Sequence, residues 1–544
     1  VKKLSFPKFK EFELKSGMEG LVVEHHEQPV VSIYMIFRSG DAVDPAGKEA
    51  LANFTIDQLN KGTETRSALQ LAKWIESVGG SVNNWTTGDY SAVSIGILGE
   101  YLDVAYDYLQ DIVLHPTFPE DELALISKRI KTALELELSQ PAAVGQRHLR
   151  NRVYGDHPYA KQPTVGSVEA ITRDDVVNFY KTNFVPNNVM IAVVGDVKWK
   201  DVRKSLKSRF GGWEPGTPQQ VTYGGAPEAN DTQIFLYHKT GAVQTEIFIG
   251  HLAPNALNPD WPAIVVGNRI LGGGSSSRLF ANIRETKGWT YSIRTSFARE
   301  KDLGFFVART PVRTEVTDSV LVELMSELER ITEEPVTAEE LDDAKSYLVG
   351  NFPITIETPD QIAMQVTRYK LLGLDQKDLE GYRDRMDAVT IEDVSRVMGE
   401  YLHPNRAYVV LVGDGQQIAE KVGALADVEM FDLTGEPVSL ALMEVQPVDY
   451  DYDTSNITTH SVTYSLVAQG MAIGDMNVQV EKKTDVVAVT SKIAGMIAME
   501  ESQEFRVKDL SPVAYRASMQ MGPQTMGAEF TFTETSGKGT VKDM

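Results

Sequence analysis

Arg284 and Tyr291 stand seven positions apart in a short segment, LGGGSSSRLFANIRETKGWTYSI (271–293), whose pattern lets the two side chains meet. A guanidinium and a phenol that converge on one point are donors able to hold a peptide carbonyl and to stabilise an oxyanion. The segment alone also fits a structural interpretation, in which the arginine lies along a helix end and the tyrosine packs in a sheet. The pair is therefore a candidate catalytic site whose meaning depends on the rest of the chain.

The elements that must position this pair are a short helix and a strand. Apolar residues at helical spacing between 279 and 283 predict a helix with Arg284 in its last turn. Gly288 follows as a residue that can take the left-handed conformation in which many helices end. The next residues, Trp289–Ile293, are predicted to form the strand that carries Tyr291.

Three glycines, Gly272–Gly274, precede this helix at the end of an apolar run. A phosphate-binding loop of the P-loop type needs a Gly-Lys-Ser/Thr sequence after its glycines, and none follows here. We therefore interpret the glycines as a tight turn beneath the helix rather than as a phosphate site.

Composition excludes several classes of function. The chain has 544 residues and a formal net charge of −23, which argues against a nucleic-acid partner because phosphate binding needs a basic surface. It contains no cysteine, which excludes disulfides, thiolate zinc sites and cysteine nucleophiles. No apolar run reaches the roughly 18 residues of a membrane span. The first residue is Val1; if a leader preceded it, we expect a periplasmic or cell-envelope location in a bacterium, and otherwise a soluble protein.

An internal repeat organises most of the chain. VPNNVMIAVVGD (185–196) matches HPNRAYVVLVGD (403–414), and AITRDDV (170–176) matches AVTIEDV (388–394), both at an offset of 218 residues. A constant offset over two segments predicts two copies of one helix-and-strand domain. In the first copy, a helix is predicted over Val168–Asn183, followed by a buried strand.

The fold class is therefore predicted to be α+β, with two homologous α/β domains in tandem and a C-terminal antiparallel β region. The domains are expected at residues 1–212 and 232–425, joined by a Pro/Gly-rich linker at 213–231. Residues 449–454 are acidic and poor in apolar side chains, which is typical of a linker. Alternating polar and apolar residues then predict a β-rich appended domain over 455–544.

The two-copy organisation, HPTF (115–118), VPNN…VVGD (185–196) and LGGGSSSRLF…IRETKGWTY (271–291) together resemble the insulinase/pitrilysin family of zinc peptidases, the inverted zincins. The similarity spans about residues 10–425 and is greatest to the subgroup that contains mitochondrial processing peptidase and its bacterial two-subunit relatives. Each motif alone is weak, but the combination is specific. The resemblance implies two insulinase-like domains in tandem.

Those enzymes carry H-x-x-E-H on a helix, where two histidines bind Zn²⁺ and the glutamate is the general base. The corresponding helix here is ALANFTIDQLNKGT (50–63), in which Asn53, Ile56 and Asp57 stand at the three motif positions. The family's third ligand corresponds to Glu135. The resemblance therefore implies a degenerate zinc site and no metal in this chain. An all-oxygen site for a hard cation at Asn53, Asp57 and Glu135 is the alternative to a hydrogen-bonded polar cluster, which we favour.

In the resembled family, an arginine and a tyrosine seven residues apart grip the substrate backbone and stabilise the tetrahedral intermediate across a chamber from the zinc. Arg284 and Tyr291 match that pair. The resemblance thus implies the non-zinc-binding subunit of a heterodimeric zinc metallopeptidase, inactive alone and without a cofactor of its own. A homologous partner subunit with H-x-x-E-H would supply zinc and base.

Unfolded peptides are the substrates that this interpretation implies, each adding as a strand to a sheet edge. The edge matching the family's lies at Gly80–Tyr90. The alternative function is a catalytically inactive scaffold or a peptide-binding protein of the same fold, in which case the arginine–tyrosine pair has no role in chemistry.

Overall fold

A computed structural model describes residues 6–439 and, toward the C-terminus, residues 458–468, 471–495, 498–506, 512–521, 524–532 and 537–543. The chain divides into two compact units, Val1–Glu444 and Val445–Met544. The acidic segment 449–454, predicted to be a linker, lies outside the described residues.

The first half of the first unit alternates strands and helices. Its strands are β1 (Phe9–Glu13), β2 (Glu19–Glu24), β3 (Val30–Phe37), β4 (Ser81–Thr86), β5 (Ser91–Leu98) and β6 (Val189–Gly195). Its helices are α1 (Leu51–Gln58), α2 (Ala68–Glu76), α3 (Leu102–Leu114), α4 (Glu120–Ser139), α5 (Pro141–Tyr154), α6 (Val165–Glu169), α7 (Arg173–Asn183) and α8 (Trp199–Phe210). Residues 213–232 follow and contain neither helix nor strand.

The second half repeats this plan. Its strands are β7 (Gln233–His238), β8 (Gln244–Ala253), β9 (Arg294–Ala298), β10 (Gly304–Arg313), β11 (Tyr408–Gly413) and β12 (Val428–Phe431). Its helices are α9 (Trp261–Leu271), α10 (Thr317–Glu333), α11 (Ala338–Asn351), α12 (Pro359–Leu371), α13 (Gln376–Glu380), α14 (Tyr382–Ala388), α15 (Ile391–Tyr401) and α16 (Gly415–Gly423). A π-helical segment, Phe280–Thr286, lies between α9 and β9.

Five of the six strands have the same topology in both sheets. The first runs in the order β1-β2-β6-β3-β5-β4 and the second in the order β12-β7-β11-β8-β10-β9. In both, the second and third strands are parallel and the next three pairings are antiparallel. The sheets differ in the outermost strand, because β1 is antiparallel to its neighbour and β12 is parallel. The predicted tandem of two homologous α+β domains is confirmed.

Matching caps explain why the repeat is visible in the sequence. Thr172 and Thr390 are the N-caps of α7 and α15, and each forms a capping box with the aspartate three residues later, Asp175 or Asp393. The predicted helix Val168–Asn183 is wrong at its start for the same reason. The Thr172 cap begins a new helix there, and the residues before it belong partly to the separate helix α6.

The two halves exchange one helix each. α12 of the second half packs on β3 and β6, burying Ile362 and Val366 against an apolar face that includes Ile36. α5 of the first half packs on β8 and β11, where Leu149 meets a face that includes Val410. Since each sheet has one face covered by the opposite half, the halves are mutually dependent parts of one unit.

The C-terminal unit is an antiparallel sheet in which every strand pairs with the next one along the chain. The strands are β13 (His460–Ala468), β14 (Met471–Lys482), β15 (Val486–Gly495), β16 (Ala498–Arg506), β17 (Pro512–Met521), β18 (Gln524–Phe532) and β19 (Gly537–Asp543). This confirms the antiparallel β region predicted from the alternating pattern. Among the described residues of the whole chain, no helix has the length and apolar character needed to cross a membrane.

Candidate functional site

Arg284 lies in the π-helical segment Phe280–Thr286, on the side away from the core. Its neighbour Ile283 is fully buried, whereas the Arg284 side chain keeps 34% of its surface exposed. The segment ends at Thr286, and two residues later the amide of Gly288 donates to the carbonyl of Arg284 at 3.0 Å. Gly288 has φ of +63°, the left-handed conformation expected of the residue that terminates a helix.

The segment that carries Tyr291 is a loop. The predicted strand at Trp289–Ile293 is wrong, because β9 begins only at Arg294. Thr290 explains the difference: its buried hydroxyl donates to the carbonyl of Pro311 at 2.6 Å, which anchors the loop to β10 through a side chain instead of a backbone ladder. The anchored threonine leaves Tyr291, the next residue, directed to solvent with 83% of its surface exposed.

The structure brings the two candidate catalytic residues together. The guanidinium carbon of Arg284 lies 5.0 Å from the ring centroid of Tyr291 and 4.5 Å from that of Phe280, within the range of cation–π attraction. The nearest carboxylate is that of Glu285, 3.6 Å from Arg284 Nε. Within the described part of the chain, no group hydrogen-bonds to the Tyr291 hydroxyl. The pair therefore presents hydrogen-bond donors to a bound peptide carbonyl or an oxyanion.

Close packing requires the glycines that precede this segment. A Cβ on Gly273 would lie 2.8 Å from the backbone Cα of Arg269, and a Cβ on Gly272 would lie 2.6 Å from Oγ1 of Thr295. Arg269 itself donates to the carbonyl of Gly273 at 2.6 Å and stacks on Tyr347, with its guanidinium carbon 3.5 Å from the ring centroid. The run is thus a tight turn at the end of α9, as interpreted from the sequence.

The helix that corresponds to the zinc helix is α1, and a buried aspartate sets its start. The carboxylate of Asp44 accepts hydrogen bonds from the amides of Ala50 and Ala52, both at 2.9 Å, which satisfies two N-terminal donors of the helix. Burial raises the pKa of Asp44 well above its usual range. Asn84 of β4 donates to the carbonyl of Ile56 at 3.0 Å, which ties α1 to the outermost strand of the first sheet.

The motif positions on α1 do not form a zinc site. Ile56 is fully buried and has no ligand atom, and Asn53 is half-buried. Asp57 accepts a hydrogen bond from the guanidinium of Arg129 on α4, while burial raises the pKa of this carboxyl. Glu135 lies on the same helix as Arg129, six residues further on and roughly 9 Å along the axis, and is exposed.

These residues do not fit a metal. The carboxylate of Asp57 already holds a cationic partner, and no cluster of three His, Cys, Asp or Glu side chains suited to a metal occurs in the described ranges. Among the described residues no hydrogen bond joins the side chains of Asn53, Asp57 and Glu135, so the structure shows the single pair Asp57–Arg129 rather than the predicted cluster of three.

The first unit thus consists of two similar α+β halves in tandem. Arg284 and Tyr291 precede the edge strand β9 of the second half, and α1 lies beside the edge strand β4 of the first. A sequence profile described as "Insulinase (Peptidase family M16)" matches residues 21–164. A second, described as "Peptidase M16 inactive domain", matches residues 170–348. The chain belongs to peptidase family M16, the insulinase family.

Relatives and solved structures agree with this assignment. An uncharacterized zinc protease of Mycobacterium leprae is 27% identical over 372 residues, 66% of this chain and 82% of that protein. A non-peptidase homologue of Helicobacter pylori is 26% identical over 358 residues, 64% of this chain and 81% of its own length. The crystal structure of a peptidase M16 inactive domain from Pseudomonas fluorescens superposes with a TM-score of 0.70 at 26% identity, covering 75% of this chain and 98% of that one.

Proposed function

We propose that this chain is the non-zinc-binding subunit of a heterodimeric zinc metallopeptidase and that it supplies Arg284 and Tyr291 to the active site of the complex. A homologous partner chain with an intact H-x-x-E-H supplies the zinc ion and the general base. Arg284 holds the substrate backbone, and the Tyr291 hydroxyl donates to the oxyanion of the tetrahedral intermediate.

One observation carries the proposal: the Arg–Tyr pair converges, with 5.0 Å between guanidinium carbon and ring centroid, in a chain whose motif helix has lost its ligands. Tyr291 exposes 83% of its surface, although a tyrosine with a purely structural role is usually packed against its neighbours. An exposed phenol beside a guanidinium is suited to a ligand from outside the chain.

Edge strands beside the candidate site support a peptide substrate. β4 and β9 are the outermost strands at equivalent ends of their sheets, and β9 follows the Tyr291 loop directly. An extended peptide can add to such an edge through backbone hydrogen bonds, which favours unfolded chains over folded ones. In the partner the relevant edge is expected beside the zinc helix, and the matching stretch of this chain, Gly80–Tyr90, contains β4.

The second candidate is a catalytically inactive scaffold or peptide-binding protein of the same fold. The name of the Helicobacter pylori relative, a non-peptidase homologue, favours it. The two candidates differ in whether Arg284 and Tyr291 affect turnover. The compartment stays a prediction from the sequence.

Purification of the tagged chain from its native host, with identification of any co-eluting protein, tests the proposal. We expect a similar chain that carries H-x-x-E-H, and a mixture that hydrolyses unfolded peptides until a chelator removes zinc. A co-eluting partner without that motif, or a mixture that is inactive with zinc present, favours the scaffold.

A further inference from the structure

Arginines surround the loop that carries Tyr291. The hydroxyl of Thr290 donates to the carbonyl of Pro311, which holds this loop beside β10, and the loop leads directly into β9. Both strands and the π-helical segment before the loop carry arginines whose side chains are exposed or half-buried. We call these residues the arginine surface: Arg284, Arg294, Arg309 and Arg313.

Two residues of the arginine surface stand directly opposite each other. Arg294 of β9 pairs in register with Arg309 of β10, so their side chains lie on the same face of the sheet. The Cβ atoms of such a pair are about 5 Å apart, and like charges there repel each other. The side chain of Arg294 makes no hydrogen bond, and no ion pair within 4.0 Å, to any residue that the structure describes. An anion from outside the chain would therefore relieve the repulsion.

Three carboxylates neutralise the other arginines only in part. The Nε atoms of Arg309, Arg284 and Arg313 lie 3.7, 3.6 and 3.1 Å from carboxylate oxygens of Glu246, Glu285 and Glu315, respectively. The first two distances exceed that of a hydrogen bond, and the third pair is more than half exposed, so it contributes little. Four guanidiniums and three carboxylates leave one net positive charge here, whereas the whole chain has a net charge of −23.

The first half of the chain shows that the fold does not require this charged pair. The two sheets correspond row by row, because β6 and β11 are related by the repeat offset of 218 residues. Residues in register across the first sheet and their counterparts in the second are Ala192, Tyr34, Ser94 and Asn83, and Val410, Phe248, Arg309 and Arg294. Since Ser94 and Asn83 are uncharged, the same strand pairing forms without the arginines. A role in binding accounts for charges that the fold does not need.

We propose that the arginine surface binds an acidic segment of an unfolded peptide, whose carboxylates pair with Arg294 and Arg309 and whose backbone reaches Tyr291. Arg294 follows Tyr291 by three residues, a span of about 10 Å in extended chain, so the acidic residue lies within about three positions of the carbonyl at Tyr291. This inference deepens the proposed function by naming the class of peptide, and it rests only on the peptide-binding part of that function. The contact needs neither a partner chain nor zinc.

Fluorescence anisotropy of the full chain with labelled peptides of about twelve residues, alternating Ser-Glu, Ser-Gln or Ser-Lys, tests the inference. At about 50 mM salt we expect the Glu peptide to bind at least about tenfold more tightly than the Gln peptide, and the Lys peptide to bind most weakly. The net charge of −23 alone predicts the reverse order, because it attracts cations. The preference for Glu should shrink at about 0.5 M salt.

Several results would overturn the inference. These are equal binding of the Glu and Gln peptides, tightest binding of the Lys peptide, and no binding of the Glu peptide at millimolar concentration. An oligothymidylate of similar length that binds as tightly as the Glu peptide would indicate a general polyanion surface and would equally overturn it. A partner with H-x-x-E-H can still co-purify in each of these cases, so the peptidase proposal is tested separately.

Variants that copy the first half assign the contact. Arg294→Asn and Arg309→Ser should each weaken binding of the Glu peptide by about threefold or more and leave the Gln peptide unchanged. Arg203→Asn is the matched control, because Arg203 is also exposed and lies on α8 of the other half, against Trp199. Thermal melting of each variant separates unfolding from loss of the contact. Equal effects of all three substitutions, or no effect of the first two, contradict the assignment.

Discussion

The carboxylate of Asp57 on α1 accepts a hydrogen bond from the guanidinium of Arg129 on α4. The resemblance predicts that Asp57 stands at the position of a zinc-binding histidine, and in the structure this carboxylate is held by a guanidinium instead. The adjacent Ile56, at the position of the general base, is fully buried in the core.

We therefore expect the chain, dialysed against zinc and then freed of excess, to retain no stoichiometric zinc and to hydrolyse no peptide alone. A metal at Asp57 would have to displace the guanidinium of Arg129, which is also a cation, and the sequence of α1 contains no histidine that could bind it. Metal analysis of the purified protein checks this. About one tightly bound zinc per chain, with hydrolysis that a chelator abolishes, would contradict it.

A double variant provides the matched comparison. Asn53→His with Asp57→His places two imidazoles four residues apart on one helix face and removes the carboxylate that holds Arg129. We expect zinc binding to appear in this variant without peptidase activity, because Ile56 still supplies no general base. Activity in the double variant would show that another residue acts as base.

The sequence was sufficient to predict the internal repeat but not the way in which the two halves pack together. Capping boxes and buried strands depend on residues that are close together in the sequence, so both copies of the repeat could be recognised from one constant offset. The exchange of α5 and α12 depends on contacts between residues far apart in the sequence, such as Ile362 with the sheet face that includes Ile36, 326 positions earlier. The local pattern of apolar residues does not indicate such contacts.

The candidate site was predictable in part for a similar reason. The positions of Arg284 and Tyr291 indicated that the two residues meet, although Trp289–Ile293 was predicted to be a strand and Thr290 anchors a loop there. A cleft lined by Asp41 and Arg368 could not be predicted from the sequence, because these residues come together only when the two halves pack against each other.

The packing of α12 on the first sheet leads to a prediction about stability. Ile362 of α12 is fully buried against the first sheet, so Ile362→Ala should lower the free energy of unfolding of the first unit by about 2–5 kcal/mol. Met364 on the same helix is 54% exposed, and Met364→Ala should change it by less than about 0.5 kcal/mol. Urea denaturation followed by circular dichroism measures both. Equal effects would mean that α12 does not hold the halves together.

The C-terminal unit is predicted to be dispensable for folding of the first unit. The two units are separately compact, with their boundary between Glu444 and Val445. A chain ending at Glu444 should therefore give a soluble, monodisperse protein that retains its near-ultraviolet circular dichroism. Aggregation of this shortened chain under conditions in which the full chain stays soluble would contradict the prediction.

Asp41 predicts a pH dependence of stability. Burial raises its pKa to about 6, so between its usual pKa and this value the folded state binds more protons than the unfolded state. The free energy of unfolding should fall as pH rises through this window, with the penalty fully present above about pH 6. The positive charges of Arg150 and Lys161 reduce the cost of ionising the buried Asp41 carboxyl. Asp44 is a second buried carboxyl close to Asp41, and burial raises its pKa as well.

Asp41→Asn should consequently stabilise the protein at neutral pH and lose this advantage at about pH 4, where the native carboxyl is protonated. Denaturation curves at the two pH values measure the difference. Asp103→Asn, at a side chain that is 80% exposed, is the control and should have little effect at either pH. A variant that is destabilised equally at both values would mean that the Asp41 carboxylate has a partner that stabilises it.

Tyr291→Phe tests whether this chain takes part in catalysis once the partner subunit is in hand. The substitution removes one hydroxyl and keeps the ring against Arg284, so assembly of the complex should be unaffected. If that hydroxyl donates to the developing oxyanion, kcat should fall by about 10²–10³ while KM changes less, because the bond is strongest in the transition state. Steady-state kinetics on the reconstituted complex give both constants.

Arg284→Ala separates substrate holding from transition-state stabilisation. A guanidinium that grips the peptide backbone in the ground state should raise KM, with a smaller loss of kcat than Tyr291→Phe causes. Tyr347→Phe is the matched control, because Tyr347 also lies against an arginine, with 3.5 Å between its ring centroid and the guanidinium carbon of Arg269. An active complex in which Tyr291→Phe keeps full kcat would remove this chain from the chemistry, and the protein would then act as architecture for its partner.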